Sequence, residues 1–290
     1  MSDRLRRARA SLAGTAVGDA LGDQLALPAR AIERRLPAAP WRWTDDTEMA
    51  CSVVHVLAAH GRIDADALAE SFVAHYDVDR HYGPGIDAMI REVGRRRVSL
   101  RELATETFGG AGSWGNGAAM RIAPLGAWFA GDPATAAREA AVAAQVTHTH
   151  PEGVAGAVAT AVAAALAASG APVGELVAAV LEHTPPGQVH DGIRLATTIQ
   201  DADPADAASA LGNGRRLSAP DTVPLALWVA IRHLDDYPEA VWTAAPVAED
   251  VDTVCAIVGG IVAGRVGSAG IPAQWRQACE PLPSWVLPPR

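Results

Sequence analysis

Two adjacent carboxylates stand at the start of an apolar segment, in the sequence WRWTDDTEMA of residues 41–50. Asp45 and Asp46 lie between two threonines. Like charges repel, and burying such a pair costs several kcal/mol unless a positive group compensates. The segment therefore raises the question of which positive partner these carboxylates have.

Helix capping offers a purely structural explanation of this segment. Thr44 or Asp45 can cap the helix that follows, and with Asp45 as the cap Glu48 falls at the third helical position, as in a capping box. Acids also suit the positive end of the helix dipole. A cap needs only one acceptor, however, and this turn carries oxygen on Thr44, Asp45, Asp46, Thr47 and Glu48.

A second acidic helix start lies in the sequence EDVDTVCAIVGGIVAG of residues 249–264. Asp250, Asp252 and Thr253 precede an apolar, glycine-containing stretch, and an N-cap again suffices as an explanation. If the two acidic segments converge in space, four carboxylates and two threonine hydroxyls form an all-oxygen cage. Hard cations such as Mg²⁺, Mn²⁺ or Ca²⁺ prefer such ligands. One metal ion, or two, is therefore a hypothesis for the positive partner.

A glycine-rich loop follows in the sequence FGGAGSWGNGAAMRIAPLG of residues 108–126. Such a loop exposes backbone N–H groups and lets a ligand approach the main chain, so it is either a phosphate-binding loop or a flexible surface loop. Ser113 and Asn116 add polar contacts. Trp114 can stack on a base or simply cover apolar surface.

Two further polar motifs have structural explanations. His148 and His150 are two residues apart, so on a helix they point to different sides and do not form a zinc pair. Asp19 lies beside Gly18 in a segment typical of a tightly packed helix, where backbone donors can satisfy its carboxylate; Asp23 follows four residues later.

Helical periodicity dominates the elements that must position these side chains. Alternating apolar and polar runs are scarce and aromatic residues make up only 5% of the chain, which disfavours a β-rich fold. Short Gly/Pro segments separate the helical stretches, without a linker-like break. We predict an all-α, compact multi-helix bundle in which residues 1–290 form a single domain.

Composition excludes several classes of function. The 290 residues carry a net charge of −9, which argues against a broad nucleic-acid-binding surface. Lysine is absent, so lysine Schiff-base enzymes and Walker-type phosphate lysines are excluded. Three scattered cysteines do not form a disulfide framework. The N-terminus lacks a signal-peptide core, and the Ala-rich run of residues 153–170 is interpreted as a buried helix, so we expect a cytoplasmic protein without a membrane span.

In their order along the chain, these segments resemble the ADP-ribosylglycohydrolase family. The matching pieces are GDALG at 18–22, WTDDTEMA at 43–50, YGPG at 82–85, GSWGNGAAMRIAPLG at 112–126, THTHPEGVAGA at 147–157 and DVDT at 250–253. The resemblance implies an all-α orthogonal bundle with two divalent cations, Mg²⁺ or Mn²⁺. The metal ligands that it implies are Thr44, Asp45, Asp46, Asp250, Asp252 and Thr253.

The same resemblance implies a substrate and a reaction. Ser113, Gly115, Asn116 and Gly117 would hold the diphosphate and the neighbouring ribose of ADP-ribose, with Trp114 beside them, and His148 would line the cleft. The expected reaction hydrolyses an N- or O-glycosidic bond at the ribose C1″ of an ADP-ribosylated protein, nucleic acid or small molecule. Asp46 or Asp252 is the candidate water-activating group. We expect a monomer.

Two positions depart from the family pattern. Ala26 stands where many relatives have a glutamate that serves as a metal ligand in the serine-specific members, and Asp23 or Gln24 would have to compensate. Glu249 replaces a glycine that usually precedes the C-terminal ligands. Two alternatives therefore accompany the hydrolase hypothesis: an impaired ADP-ribose-binding or structural member of the family, and a hydrolase of another ribosyl or nucleoside conjugate.

Overall fold

The structure, a computed structural model, describes residues 2–26 and 28–286 and is all-α within them, which confirms the predicted fold class. Apart from two isolated bridges, between Trp41 and Cys279 and between Gly115 and Ser218, these residues form no β-structure. The helices are α1 Asp3–Leu25, α2 Pro28–Ile32, α3 Asp45–His60, α4 Ala65–Ala74, α5 Pro84–Arg96, α6 Leu100–Glu106, α7 Gly117–Met120, α8 Ala123–Trp128, α9 Pro133–Gln145, α10 Pro151–Ser169, α11 Val173–His183, α12 Gln188–Thr198, α13 Pro204–Leu211, α14 Ala219–Arg232, α15 Tyr237–Ala244, α16 Val251–Val266 and α17 Ala273–Ala278. Single 3-10 turns span Val78–Arg80, Thr107–Gly110 and Ser284–Val286.

Side-chain caps define many of the helix starts. Asp64 accepts hydrogen bonds from two backbone N–H groups at the start of α4, and Ser99 forms a capping box with Glu102 at the start of α6. Gly61 ends α3 and Gly170 ends α10, both in the left-handed region at φ +72° and +81°. The short loops between helices therefore follow from the local sequence.

The two helices that carry acidic segments pack against each other through glycines. A Cβ atom added at Gly18 of α1 would lie 2.1 Å from the carbonyl oxygen of Cys255 in α16. One at Gly14 would lie 2.3 Å from the carbonyl oxygen of Gly259, and one at Gly22 would lie 2.7 Å from Cα of Asp252. The spacing of four residues places these glycines on one face of α1, so the backbones of α1 and α16 come into direct contact.

The predicted Ala-rich helix is α10, and it lies in the core. By length and composition α10 could cross a membrane, but 83% of its apolar window is buried inside the protein. It packs against α8, α9 and α16, and Gly156 allows Ala219 of α14 to approach, since a Cβ there would lie 2.7 Å from the Ala219 Cβ. Its small side chains thus permit close helix packing in the centre of the bundle.

Candidate active site

The starts of α3 and α16 meet beside the middle of α1. Asp19, Asp46 and Asp252 each place a carboxylate oxygen within 4.8 Å of the other two. Asp45 and Asp250 are close enough to raise the pKa of Asp46 by charge repulsion. The glycine contact between α1 and α16 produces this convergence, because it fixes Asp252 directly against the helix that carries Asp19.

Arg80 fixes the segment that leads into α3. Its guanidinium donates to both oxygens of Glu280 at 2.8 and 2.9 Å and to the carbonyl oxygen of Trp43 at 2.9 Å, and it stacks over the Trp43 ring at 3.4 Å. Trp41 exchanges backbone hydrogen bonds of 2.8 Å with the strand-like segment 278–280. The backbone immediately before Thr44 is therefore held by a partly buried ion pair and a β-bridge.

Asp19 organises the turn between α1 and α3. Its oxygens accept from the backbone N–H groups of Thr44 and Thr47 at 2.9 and 3.1 Å, and from their hydroxyls at 2.9 and 2.5 Å. The interpretation that backbone donors satisfy Asp19 describes part of this arrangement. Asp19 also belongs to the acidic cluster, a role that the sequence signals only through the adjacent Gly18-Asp19 pair.

The Thr44 hydroxyl has one proton but lies within hydrogen-bonding distance of two carboxylate oxygens. It lies 2.9 Å from Asp19 Oδ1 and 3.2 Å from Asp46 Oδ2, and it can donate to only one of these acceptors. Asp46 Oδ1 is buried and has no hydrogen-bond partner among the described residues. A cation between Thr44 and Asp46 would bind both the Thr44 hydroxyl oxygen and the unpartnered Asp46 Oδ1. These oxygen ligands therefore fit a metal ion.

The capping explanation for the two acidic segments is wrong. Thr44, the first residue before α3, makes no side-chain capping bond, and neither does Asp250 before α16. Glu48 does not form the expected capping box with Asp45, because its carboxylate accepts from the Tyr82 hydroxyl at 2.8 Å and from the backbone N–H of Asp77 at 3.0 Å. Capping therefore does not account for the acids of the site, although Asp252 Oδ1 accepts from the first-turn N–H of Thr253 at 2.9 Å.

Burial and mutual repulsion disfavour the charged form of these carboxylates. Burial, followed by repulsion from Asp19 and Asp252, raises the pKa of Asp45 and Asp46 well above the ordinary value. Burial and repulsion from Asp252 raise the pKa of Asp19 and of Asp250 to about 7. No arginine or histidine in the described part of the chain forms a salt bridge with any of these five groups. The cluster lacks a cation from the protein that would neutralise it.

Asn116 connects the glycine-rich loop to the acidic cluster. Its side-chain N–H₂ donates to Asp250 Oδ2 at 2.6 Å and to the Thr222 hydroxyl at 3.0 Å. The resemblance assigns this residue to the ligand, whereas the structure shows that its amide nitrogen is engaged with Asp250. Asn116 thus fixes the position of the loop relative to α16.

The rest of the loop surrounds an imidazole. His148 is buried, and a Cβ at Gly115 would lie 3.1 Å from its Nε2, as would one at Gly117. The Ser113 hydroxyl accepts from the Gly115 N–H at 3.2 Å, and the Trp114 side chain is 44% exposed. The helix after the loop is α7, which has only four residues, so its dipole adds little to anion binding.

Asp23 lies at the edge of the acidic cluster. Its Oδ1 is 3.5 Å from His81 Nδ1, and its charge raises the pKa of Asp252, after burial as the main cause. Ala26, at the position of the family glutamate, follows the last residue of α1 and is exposed. Asp23 is therefore a carboxylate next to the site, and Ala26 supplies none.

The sequence model of the family described as ADP-ribosylglycohydrolase matches residues 1–287. The chain belongs to the ADP-ribosylglycohydrolase family. This membership supports ADP-ribosyl hydrolase activity, and a carboxylate cluster of the kind described is consistent with it.

Individual members of the ADP-ribosylglycohydrolase family are similar over most of the chain. ADP-ribosylhydrolase ARH3 of Bos taurus is 27% identical over 82% of this chain and 74% of its own length. ADP-ribosylarginine hydrolase Tri1 of Pseudomonas putida (strain GB-1) is 27% identical over 93% and 73%. A solved structure, the ADP-ribosylglycohydrolase-related protein complex, superposes with a TM-score of 0.66 at 26% identity and covers 97% of this chain and 94% of its own.

Proposed function

We propose that this chain is a metal-dependent ADP-ribosyl hydrolase that cleaves the glycosidic bond at the ribose C1″ and releases ADP-ribose. The observation that carries the proposal is the largely buried convergence of Asp19, Asp46 and Asp252, which no cation of the described residues neutralises. Burying these charges without a partner would cost several kcal/mol of folding free energy. A bound cation would compensate this cost. Family membership supplies the class of substrate.

The cluster has the donors for two Mg²⁺ or Mn²⁺ ions. Such ions supply Lewis acidity and lower the pKa of bound water. The residues that would hold them are Thr44, Asp45, Asp46, Asp250, Asp252 and Thr253, and Asp19 orients Thr44 through the hydrogen bonds described above.

The carboxylates have a second task in the reaction. Asp46 and Asp252 lie in the centre of the cluster, where either can accept a proton from the attacking water. Asp23 is a further candidate base at the edge of the cluster, where its side chain is 25% exposed. The negative oxygens also stabilise the positive charge that develops at C1″ in an oxocarbenium-like transition state.

The glycine-rich loop suits a diphosphate and its ribose. Gly115 and Gly117 lie against the His148 ring, where side chains would crowd it, and the backbone N–H groups of such a glycine-rich loop can bind a phosphate oxygen. Ser113 supplies a hydroxyl, and the exposed ring of Trp114 is available to stack on the adenine. Because Asn116 ties the loop to Asp250, ligand and catalytic carboxylates share one rigid frame.

The substrate is an ADP-ribosylated protein, nucleic acid or small molecule. The name of one relative, ADP-ribosylarginine hydrolase, makes the arginine linkage the first to test. Ala26 makes the serine linkage less suitable, since no carboxylate replaces the family glutamate at that position. We further propose that the protein acts as a cytoplasmic monomer.

A binding-only role is the second candidate function, and Ala26 is the observation that favours it. Such a protein would bind ADP-ribose and metal ions without turnover. The alternative of a hydrolase for another ribosyl or nucleoside conjugate would release ribose or a nucleotide instead of ADP-ribose.

Mass spectrometry of the reaction products separates these functions. ADP-ribosylated arginine, serine and nucleotide substrates are incubated with the protein and Mg²⁺ or Mn²⁺, and parallel samples contain EDTA. The proposal expects ADP-ribose from at least one substrate, and only in the samples with metal. Release that persists in EDTA contradicts the metal dependence, and binding of ADP-ribose in calorimetry without release from any substrate supports the binding-only role.

A further inference from the structure

A buried chain of hydrogen bonds ends at His148. Arg121 Nη2 donates to the Thr147 hydroxyl at 2.7 Å, and this oxygen lies 2.7 Å from His148 Nδ1. Arg121 and Thr147 have no solvent exposure, and His148 is 3% exposed. Arg121 and Thr147 belong to none of the candidate metal, catalytic or ligand residues.

Counting protons fixes the direction of these bonds. A guanidinium only donates, so Thr147 Oγ1 is an acceptor towards Arg121. The hydroxyl proton of Thr147 then needs an acceptor, and His148 Nδ1 is the one available among the described residues. The reverse arrangement would leave that buried proton unpaired, which costs about 1–3 kcal/mol. His148 Nδ1 is therefore the acceptor, and the ring proton of the neutral imidazole is on Nε2.

This hydrogen-bond arrangement requires a charged Arg121 and a neutral His148, and both are present at neutral pH. Burial lowers the pKa of Arg121 to about 9, so the guanidinium stays protonated at pH 7. The side chain is held by the carbonyl oxygen of Ala143 at 3.2 Å and lies over the Phe72 ring at 4.7 Å. Burial, and secondarily the charge of Arg121, lowers the pKa of His148 to about 3, so the imidazole is neutral.

The Nε2 end of the hydrogen-bond chain, on His148, faces the glycine-rich loop. His148 Nε2 has no hydrogen-bond partner among the described residues, and it is the ring atom nearest to the place that a Cβ of Gly115 would take. Because Gly115 and Gly117 carry no side chains, the imidazole packs closely against the loop backbone, and its Nε2–H lies at the loop that is proposed to hold the ligand. An oxygen acceptor of a bound ligand can complete the hydrogen bond.

We propose that Arg121 and Thr147 are positioning residues that lock His148 in the Nε2–H tautomer, so that it donates a hydrogen bond to an oxygen of ADP-ribose in the glycine-rich loop. The identity of the ligand rests on the proposed function. In this state His148 is a fixed donor and has no free basic nitrogen, which leaves proton acceptance to the carboxylates.

Nitrogen-15 NMR of the histidine rings in the ligand-free protein tests the tautomer. The ring signals of His148 are assigned by their loss in His148→Gln. We expect an unprotonated, acceptor-type Nδ1 and a protonated, pyrrole-type Nε2 in the wild type. A protonated Nδ1, or signals averaged between both tautomers, overturns the proposal.

Thr147 variants test the consequence for binding. In Thr147→Val the tautomer preference is lost, and the affinity for ADP-ribose in calorimetry falls about tenfold, the loss typical of one hydrogen bond. Thr147→Ser keeps the hydroxyl and restores both properties. Thr160→Val is the matched control, because the Thr160 hydroxyl is buried without a partner, and it leaves both unchanged.

The two readouts separate this proposal from the proposed function. Thr147→Val with an unchanged His148 tautomer and unchanged affinity contradicts the positioning role alone. If the wild type shows the expected tautomer but does not bind ADP-ribose at millimolar concentration, the assignment of the ligand and the proposed function are wrong. The positioning of His148 by Arg121 and Thr147 is then still supported.

Discussion

An oxygen atom of Asp46 lies within 4.8 Å of an oxygen atom of Asp252, although the two residues lie in the first turns of α3 and α16, which are far apart along the chain. Neither carboxylate forms a salt bridge with a residue that the structure describes. In the absence of a cation this proximity is repulsive, and with a cation it becomes a binding site. Removing the charge of either carboxylate should therefore raise the stability of the metal-free protein and lower its affinity for metal ions.

Asp46→Asn and Asp252→Asn test this opposition. Each variant removes one negative charge, so we expect the metal-free protein to melt at a higher temperature than the wild type. Mn²⁺ affinity should fall by at least about 10–100-fold, the loss seen when even outer-sphere partners are removed. Calorimetry and thermal denaturation measure the two effects, and Asp206→Asn, at an exposed acid, should change neither. Lower stability together with unchanged Mn²⁺ affinity would contradict the assignment.

The pH dependence of the metal-free protein follows from the raised pKa values. Asp19 and Asp250 have a folded pKa of about 7, against an ordinary value of 3.8. Between these values the folded state holds more protons than the unfolded state, so its stability falls as the pH rises through about 7. We expect the protein in EDTA to be more stable at pH 5.5 than at pH 8.

Saturating Mn²⁺ should remove or reverse this order, because metal and protons compete for the same oxygens. Thermal denaturation at both pH values, with EDTA and with Mn²⁺, provides the measurement. Equal stability at pH 5.5 and 8 in EDTA would show that the carboxylates do not share one buried site.

Gly18→Ala tests the helix contact that creates the site. Its Cβ would lie 2.1 Å from the Cys255 carbonyl oxygen, so α1 and α16 must separate. We expect a loss of about 1–3 kcal/mol or more in the free energy of unfolding, and weaker metal binding because Asp252 moves away from Asp19. Gly94→Ala is the control: Gly94 lies in α5 with open space around it, and alanine there should stabilise by up to about 1 kcal/mol. Urea denaturation distinguishes the two variants.

Asn116→Ala tests the link between the loop and the carboxylates. Loss of a hydrogen bond to a charged group should cost about 1.5–3 kcal/mol of stability. The hydrogen bond from Asn116 lowers the pKa of Asp250, so its removal should shift the pH midpoint of Mn²⁺ binding upwards. Calorimetry between pH 5.5 and 8 measures this midpoint, and Gln277→Ala, at an exposed position of α17, serves as the control. An unchanged midpoint would mean that the 2.6 Å hydrogen bond from Asn116 does not lower the pKa of Asp250.

The helical fold could be predicted because its signals are local. The cap at Asp64 and the left-handed glycine at Gly61 appear in the sequence as they do in the structure. The start of α14 is not evident from the local sequence, because the helix begins at Ala219 and accommodates Pro224 inside it. There the N–H of Ala219 binds the carbonyl oxygen of Trp114, a tertiary contact that no local pattern contains.

The acidic segments could be found from composition, but not what surrounds them. The position of Asp19 in the cluster has no local signal, because the hydrogen bonds that it accepts from Thr44 and Thr47 arise from packing of α1 on α3, and its proximity to Asp252 arises from packing of α1 on α16. Glu48 was assigned to a capping box because local spacing allows one, whereas Tyr82 binds it in the fold. The roles of the individual ligands and of the loop residues stay predictions until they are measured.

Anomalous diffraction at the manganese edge tests the central claim most directly, on crystals grown with Mn²⁺ and ADP-ribose. We expect anomalous peaks about 2.0–2.4 Å from carboxylate oxygens of Asp46 and Asp252, with the ribose of ADP-ribose facing them and its diphosphate along Gly115–Gly117. Ordered ADP-ribose elsewhere, or crystals without a manganese peak between α3 and α16, would contradict the account.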